Sequence, residues 1–179
     1  MTEPNIHPNI ILCGFMGSGK SSVGKSLAKM LDMRFIDVDE YIESNNKMPI
    51  SSIFEKFGEK YFREQEKEAS EFLGRLENTV ISCGGGTVLN ENNAKLLKKN
   101  GFLFYLSVSK ETVIKRLAGD NTRPLLLNKG SNEIFSLLES RAPIYKKVSD
   151  FTVNADASVF DVALQIEALY KNLCDNNAE

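Results

Sequence analysis

Gly14-Phe-Met-Gly-Ser-Gly-Lys20-Ser21 matches the spacing G-x-x-x-x-G-K-[ST], a pattern suited to holding phosphate. The glycines let the backbone curl so that successive N–H groups point inward onto phosphate oxygens. The positive end of the following helix adds to that field. Lys20 is long enough to reach β- and γ-phosphates, and the Ser21 hydroxyl suits a Mg²⁺ ion. Gly17, Ser18, Gly19 and Ser22 complete the expected nucleotide-binding set. With average glycine usage the pattern should arise by accident in about one in 200 chains of this length. An ordinary glycine-rich turn is the competing reading. The apolar run before it and the helical pattern after it favour ATP with Mg²⁺.

A phosphate loop needs a second acidic group to organise the metal, commonly at the end of another strand. The run Thr79-Val-Ile-Ser-Cys83 ends in Gly84-Gly85-Gly86 and offers none, whereas Arg34-Phe-Ile-Asp37-Val-Asp39 offers two. On an extended chain, period-two alternation places Asp37 and Asp39 on one side. One carboxylate could then hold Mg²⁺ through its waters while the other accepts a hydrogen bond from an acceptor hydroxyl. A solvated acidic turn leading into a helix over Tyr41–Asn45 is the alternative.

Three consecutive glycines let a ligand approach the backbone and receive its N–H groups, although tight turns explain many such runs. Arg63, Arg116, Arg123 and Arg141 each sit in a distinctive setting: on a helix, before Gly119, before Pro124, and in Ser140-Arg-Ala-Pro-Ile-Tyr145. A lone arginine is most often a solvated surface group, and spacing alone lifts none of the four above that.

Composition narrows the field further. The chain has 179 residues, 42% hydrophobic and 26% charged, with net charge −2. One domain spanning 1–179 is expected. General binding to nucleic acid or an anionic membrane needs a strongly basic face, so neither is expected. Cys13, Cys83 and Cys174 are scattered without CxxC spacing, and the single histidine is His7. A disulfide framework, a zinc site and serine–histidine catalysis are therefore poor candidates, and a reducing, cytoplasmic setting is expected. The N-terminal stretch lacks a basic patch followed by an apolar run, and no run approaches the ~20 residues of a membrane span.

Five short apolar runs read as strands: 10–13, 34–36, 79–82, 102–106 and 151–153. Amphipathic stretches separate them, including 59–77 and 110–118. Val159, Val162, Ala163, Ile166, Leu169, Tyr170 and Leu173 recur at helical spacing, with Ser158 as N-cap and Asp161 three residues on. Strands alternating with helices predict parallel pairing and a three-layer α/β sandwich. Ligands in such sheets bind at the carboxyl ends of strands, where the phosphate loop, the two acids and the glycine triplet all fall.

Taken together, Gly14–Ser22, Asp37-Val-Asp39, Phe62-Arg63 with Glu66 behind it, Gly84–Gly86, Arg123-Pro-Leu-Leu126 and Arg141-Ala-Pro-Ile-Tyr145 resemble the shikimate kinase family. The likeness runs from about Asn9 to Tyr145. It implies a P-loop kinase fold with a five-stranded parallel sheet in the order 2-3-1-4-5. It implies transfer of phosphate from ATP to the 3-hydroxyl of shikimate on the route to chorismate and aromatic amino acids. By that resemblance Asp39 binds the shikimate hydroxyls, Arg63 and Arg141 hold its carboxylate, and the Gly84, Gly85 and Gly86 amides line the acceptor site. Phe54 and Phe62 wall that pocket, Asp37 and Ser21 serve the metal, and Arg116 lies against adenine. Lys20, Asp39 and Arg123 form the catalytic set, with the acceptor region at about 37–66 and a lid at about 119–130. Ser22 stands where the family commonly has threonine. The segment Asn154-Ala-Asp-Ala-Ser158 has little to distinguish it.

The physical reading agrees, because a planar carboxylate suits an arginine fork and ring hydroxyls suit a carboxylate and backbone donors. A small kinase for a nucleoside monophosphate or gluconate is the nearest rival. A nucleotide-binding module without catalysis is the rival from another class, though Lys20, Asp37, Asp39 and Arg123 are all present. The 119–130 stretch shows no sustained helical period, which predicts a segment that is mobile when empty and closes over nucleotide. Action as a monomer is expected.

Overall fold

Asn9–Cys13 (β1) is apolar along almost its whole length and buried at all five residues. A strand buried on both faces belongs at the centre of a parallel sheet, and β1 occupies that place. A computed structural model describes residues 7–118 and 131–176. Its other strands are Arg34–Asp37 (β2), Thr79–Ser82 (β3), Gly101–Ser107 (β4) and Phe151–Asn154 (β5). All neighbours pair in parallel, in the order β2-β3-β1-β4-β5. The sheet order and the five strands agree with the sequence reading, with ends moved by one residue at most.

The helices are Lys20–Leu31 (α1), Val38–Asn46 (α2), Ile50–Leu73 (α3), Glu91–Leu97 (α4), Lys110–Leu117 (α5), Ser131–Val148 (α6) and Val159–Asn176 (α7). Right-handed crossovers decide where they lie. The chain moves one way across the sheet through α1 and the other way through α3, α4 and α6, so these helices cover opposite faces. The C-terminal α7 packs back against α1. This gives the three layers. The capping pair at the start of α7 forms as expected: the Asp161 amide donates to Ser158 Oγ at 3.2 Å, and that hydroxyl donates to Asp161 Oδ2 at 2.6 Å.

Two local readings need correction. First, β2 ends at Asp37 and α2 begins at Val38, so Asp39 lies in the first helical turn rather than on an extended chain. The Asp37 side chain accepts the Asp39 amide at 3.0 Å, and this cap stops the strand there. Second, the helix expected over 59–77 starts earlier and ends at Leu73, with a break at Gly58 (φ 77°, ψ 175°). The Arg-Ala-Pro segment, to which the sequence assigned no element, lies inside α6, which contains Pro143. Ile134, Leu138 and Tyr145 fall on one face of it and are buried. That packing outweighs the hydrogen bond that proline cannot donate. Among the described residues no helix is long and apolar enough to cross a membrane.

Candidate active site

The phosphate loop turns between β1 and α1 directly above the carboxyl end of the central strand. Its first glycine is needed there. Gly14 has φ 146°, and a Cβ on it would lie 2.7 Å from the Leu106 carbonyl oxygen of β4. Lys20 folds over the loop, its Nζ donating to the carbonyls of Gly14 and Phe15 at 3.0 Å each. Ser18 is 1% exposed, and its hydroxyl has no hydrogen-bond partner among the described residues.

A cleft of about 270 Å³ opens beside this loop. Gly17, Gly19, Lys20, Ser21 and Ser22 form one wall. Asp37, Asp39, Cys83, Gly84 and Gly85 form another, and Arg116 closes one side. Most of the residues singled out in the sequence therefore meet here. Ser21 Oγ donates to Asp37 Oδ2 at 2.8 Å and sits 3.4 Å from the Ser82 hydroxyl. Two hard oxygen donors thus stand side by side next to the loop. No cluster of three or more His, Cys, Asp or Glu placed to hold a metal occurs among the described residues.

The glycine triplet follows β3 and is shaped by its neighbours. A Cβ on Gly84 would overlap Asp39 Oδ1, and one on Gly86 would come within 2.6 Å of an Arg63 guanidinium nitrogen. A Cβ on Gly85 would meet nothing within 4 Å. Gly84 and Gly86 therefore seat Asp39 and Arg63, while Gly85 faces open space. Arg63 lies on α3, where it bonds Glu66 at 2.6 Å and Glu59 at 2.9 Å. Burial pulls its pKa down, but the hydrogen bonds and charges of Glu66 and Glu59 more than offset this and hold it above its ordinary value. Glu66 is 1% exposed and also accepts the Thr87 hydroxyl at 2.9 Å. A carboxylate so buried needs partners of this kind.

Arg116 reaches from α5 to two segments. One guanidinium nitrogen donates to the Gly17 and Ser18 carbonyls at 3.2 Å each, and the other to Ala155 at 2.8 Å and Ala157 at 3.4 Å. The undistinguished 154–158 stretch is thereby brought beside the phosphate loop. Arg141 lies on α6, one turn before Tyr145, whose hydroxyl donates to the Gly85 carbonyl at 2.5 Å. Phe54 and Phe62 pack against each other with centroids 4.8 Å apart. They, Arg63, Gly86 and Arg141 are not among the residues that border the cleft around the loop. Arg123 and the expected lid over 119–130 lie outside the described residues.

Sequence reasoning gave no weight to Ser82 or Tyr145. Ser82 reads only as the last residue of a strand, and Tyr145 only as part of a short motif. The role of Glu66 was visible in part, since i, i+3 spacing places it beside Arg63 on a helix.

The model of the shikimate kinase family matches residues 16–170. A shikimate kinase of Caldicellulosiruptor bescii is 48% identical over 159 residues, covering 88% of this chain and 91% of that protein. The structure of shikimate kinase from Acinetobacter baumannii in complex with shikimate superposes with a TM-score of 0.87 at 34% identity. That match covers 97% of this chain and 96% of the other. A gluconokinase from Sinorhizobium meliloti reaches a TM-score of 0.59 at 20% identity, a likeness of fold alone. With a matching family model over most of its length, and a phosphate loop, acid pair and glycine triplet around one cleft, the chain belongs to the shikimate kinase family.

Proposed function

We propose that this chain transfers the γ-phosphate of ATP to the 3-hydroxyl of shikimate, giving shikimate 3-phosphate and ADP for aromatic amino acid biosynthesis. The observation that carries the reading is the meeting of Asp39 and Arg63 on the glycine triplet, beside the phosphate loop. An acceptor with hydroxyls and a carboxylate meets a carboxylate, a guanidinium and backbone amides in that one place. A nucleoside monophosphate would instead ask for a phosphate site. Gluconate shares shikimate's chemistry in part, but the protein of that activity matches in fold only.

Phosphoryl transfer passes through a loose transition state, so catalysis is chiefly positioning and neutralisation of charge. The loop amides of Gly17 to Ser22 cradle the phosphates, and Lys20 turns from the Gly14 and Phe15 carbonyls to the transferring group. The Ser21 and Asp37 oxygens suit Mg²⁺, which takes one or two protein oxygens and completes its shell with phosphates and water. When bound, that ion neutralises charge on the β- and γ-phosphates. Asp39 orients the acceptor hydroxyl and receives its proton late in the transfer. Arg63 and Arg141 hold the acceptor carboxylate, the Gly84, Gly85 and Gly86 amides line its site, and Phe54 and Phe62 stand at its outer wall. Arg116 and the 155–157 stretch form the adenine side. Arg123, on the lid assigned to 119–130, counters charge as phosphate transfers. The acceptor region at 37–66 and this lid are parts of one domain spanning 1–179. The scattered free cysteines support a reducing, cytoplasmic setting, and action as a monomer belongs to the same reading.

Phosphorus and proton NMR of the product tests the reaction. A single ester on the 3-hydroxyl of shikimate is expected. Phosphate on another hydroxyl, or no ester at all, would contradict the assignment.

A further inference from the structure

The three carbonyls of the glycine triplet are held in different ways. The Thr87 amide donates to Gly84 O at 3.3 Å, and the Leu89 amide donates to Gly86 O at 3.1 Å. Both come from the chain that follows directly. The middle carbonyl, Gly85 O, instead accepts from the hydroxyl of Tyr145, 60 residues away on α6, at 2.5 Å. A peptide unit is planar, so fixing the Gly85 carbonyl fixes the direction of the Gly86 N–H on its other side. The Tyr145 ring is fully buried and packs on Tyr105 with centroids 5.4 Å apart. Burial pushes its hydroxyl up to about 12 against the pull of the nearby Arg141 charge. At neutral pH it is a proton donor, and its proton goes to the Gly85 carbonyl.

We propose that Tyr145 is a positioning residue that fixes the middle peptide of the Gly84–Gly86 loop, so that one hydroxyl from α6 sets the direction of the loop amide that receives the acceptor. This rests on the reading of the triplet as part of the acceptor site. Tyr145 is assigned no contact with either substrate. It acts through the loop it holds, which serves the acceptor rather than the nucleotide.

Tyr145→Phe keeps the ring and its packing and removes only the hydroxyl. The variant should raise the KM for shikimate about fivefold, the scale of a lost neutral hydrogen bond, and leave the KM for ATP within about twofold. Hydrogen exchange at the Thr87 and Leu89 amides should quicken, because their acceptors belong to the loop that Tyr145 steadies. Tyr105→Phe removes a hydroxyl from the neighbouring ring without touching the loop, and should change neither KM. An unchanged shikimate KM in Tyr145→Phe overturns the proposal. So does an equal rise in both KM values, or the same effect from Tyr105→Phe. If the wild type shows no shikimate-dependent turnover, the functional reading itself has failed, and the exchange measurement still decides whether Tyr145 holds the loop. Unchanged exchange there overturns the anchoring role as well.

Discussion

Gly84 and Gly85 are adjacent, yet an added methyl meets opposite surroundings at each. Gly84→Ala drives a Cβ into Asp39 Oδ1, so either the carboxylate or the loop must shift. We expect kcat to fall by at least about tenfold, with a stability loss of about 1–3 kcal/mol from overpacking. Gly85→Ala points its methyl into open space and should melt close to the wild type, while raising the KM for shikimate if that space takes the acceptor as proposed. Thermal melts and steady-state kinetics on the two variants check this, and equal behaviour would contradict the division of labour within the triplet. Asp39→Asn should lower kcat by about 10²–10⁴ if the carboxylate takes the acceptor proton. ATP affinity should stay the same in a binding titration. If Arg63 and Arg141 hold the acceptor carboxylate as proposed, removing either leaves it short of a charged partner, at about 2–5 kcal/mol, read as weaker shikimate binding.

The boundary between β2 and α2 carries two duties at one residue. Asp37 caps α2 through the Asp39 amide and meets Ser21 through its other oxygen. Asparagine caps as well as aspartate does, but it lacks the charge. Asp37→Asn should therefore keep the urea midpoint and raise the Mg²⁺ concentration needed for half-maximal activity. Asp37→Ala should also lose about 1 kcal/mol of stability. If Asp37→Asn showed an unchanged Mg²⁺ requirement, the ion would not use this carboxylate. The strands were legible in the sequence because each is a short apolar run with the phosphate loop or another turn at its end. The cap of α7 was legible because Ser158 and Asp161 lie close in sequence. The pairing of Asp37 with Asp39 was right in place and wrong in reason, since a side-chain cap ends the strand and period-two alternation never applies. The course of α6 was hidden by Pro143, whose local preference is overridden by burial of Ile134, Leu138 and Tyr145. Contacts such as Tyr145 to Gly85, or Arg116 to Gly17, join residues tens of positions apart, and only the crossovers bring them together.

The whole molecule keeps two thiols, Cys13 and Cys83, buried at the ends of neighbouring central strands. Burial pushes Cys13 up to about 12 from an ordinary value of 9.0, and pushes Cys83 well up too. The folded protein therefore holds these protons more tightly than the unfolded chain. Stability from this source is complete below pH 9 and is lost as pH rises towards 12. At pH 10 the Cys13 contribution alone should be lower by on the order of 1 kcal/mol than at pH 7, visible as a lower urea midpoint. Cys13→Ala should flatten that slope while lowering stability at pH 7. What the assembled site does is read from a coupled assay of ADP release with Mg·ATP. ADP should appear rapidly only when shikimate is added. Equal release without shikimate, or faster release with AMP or gluconate, would contradict the account.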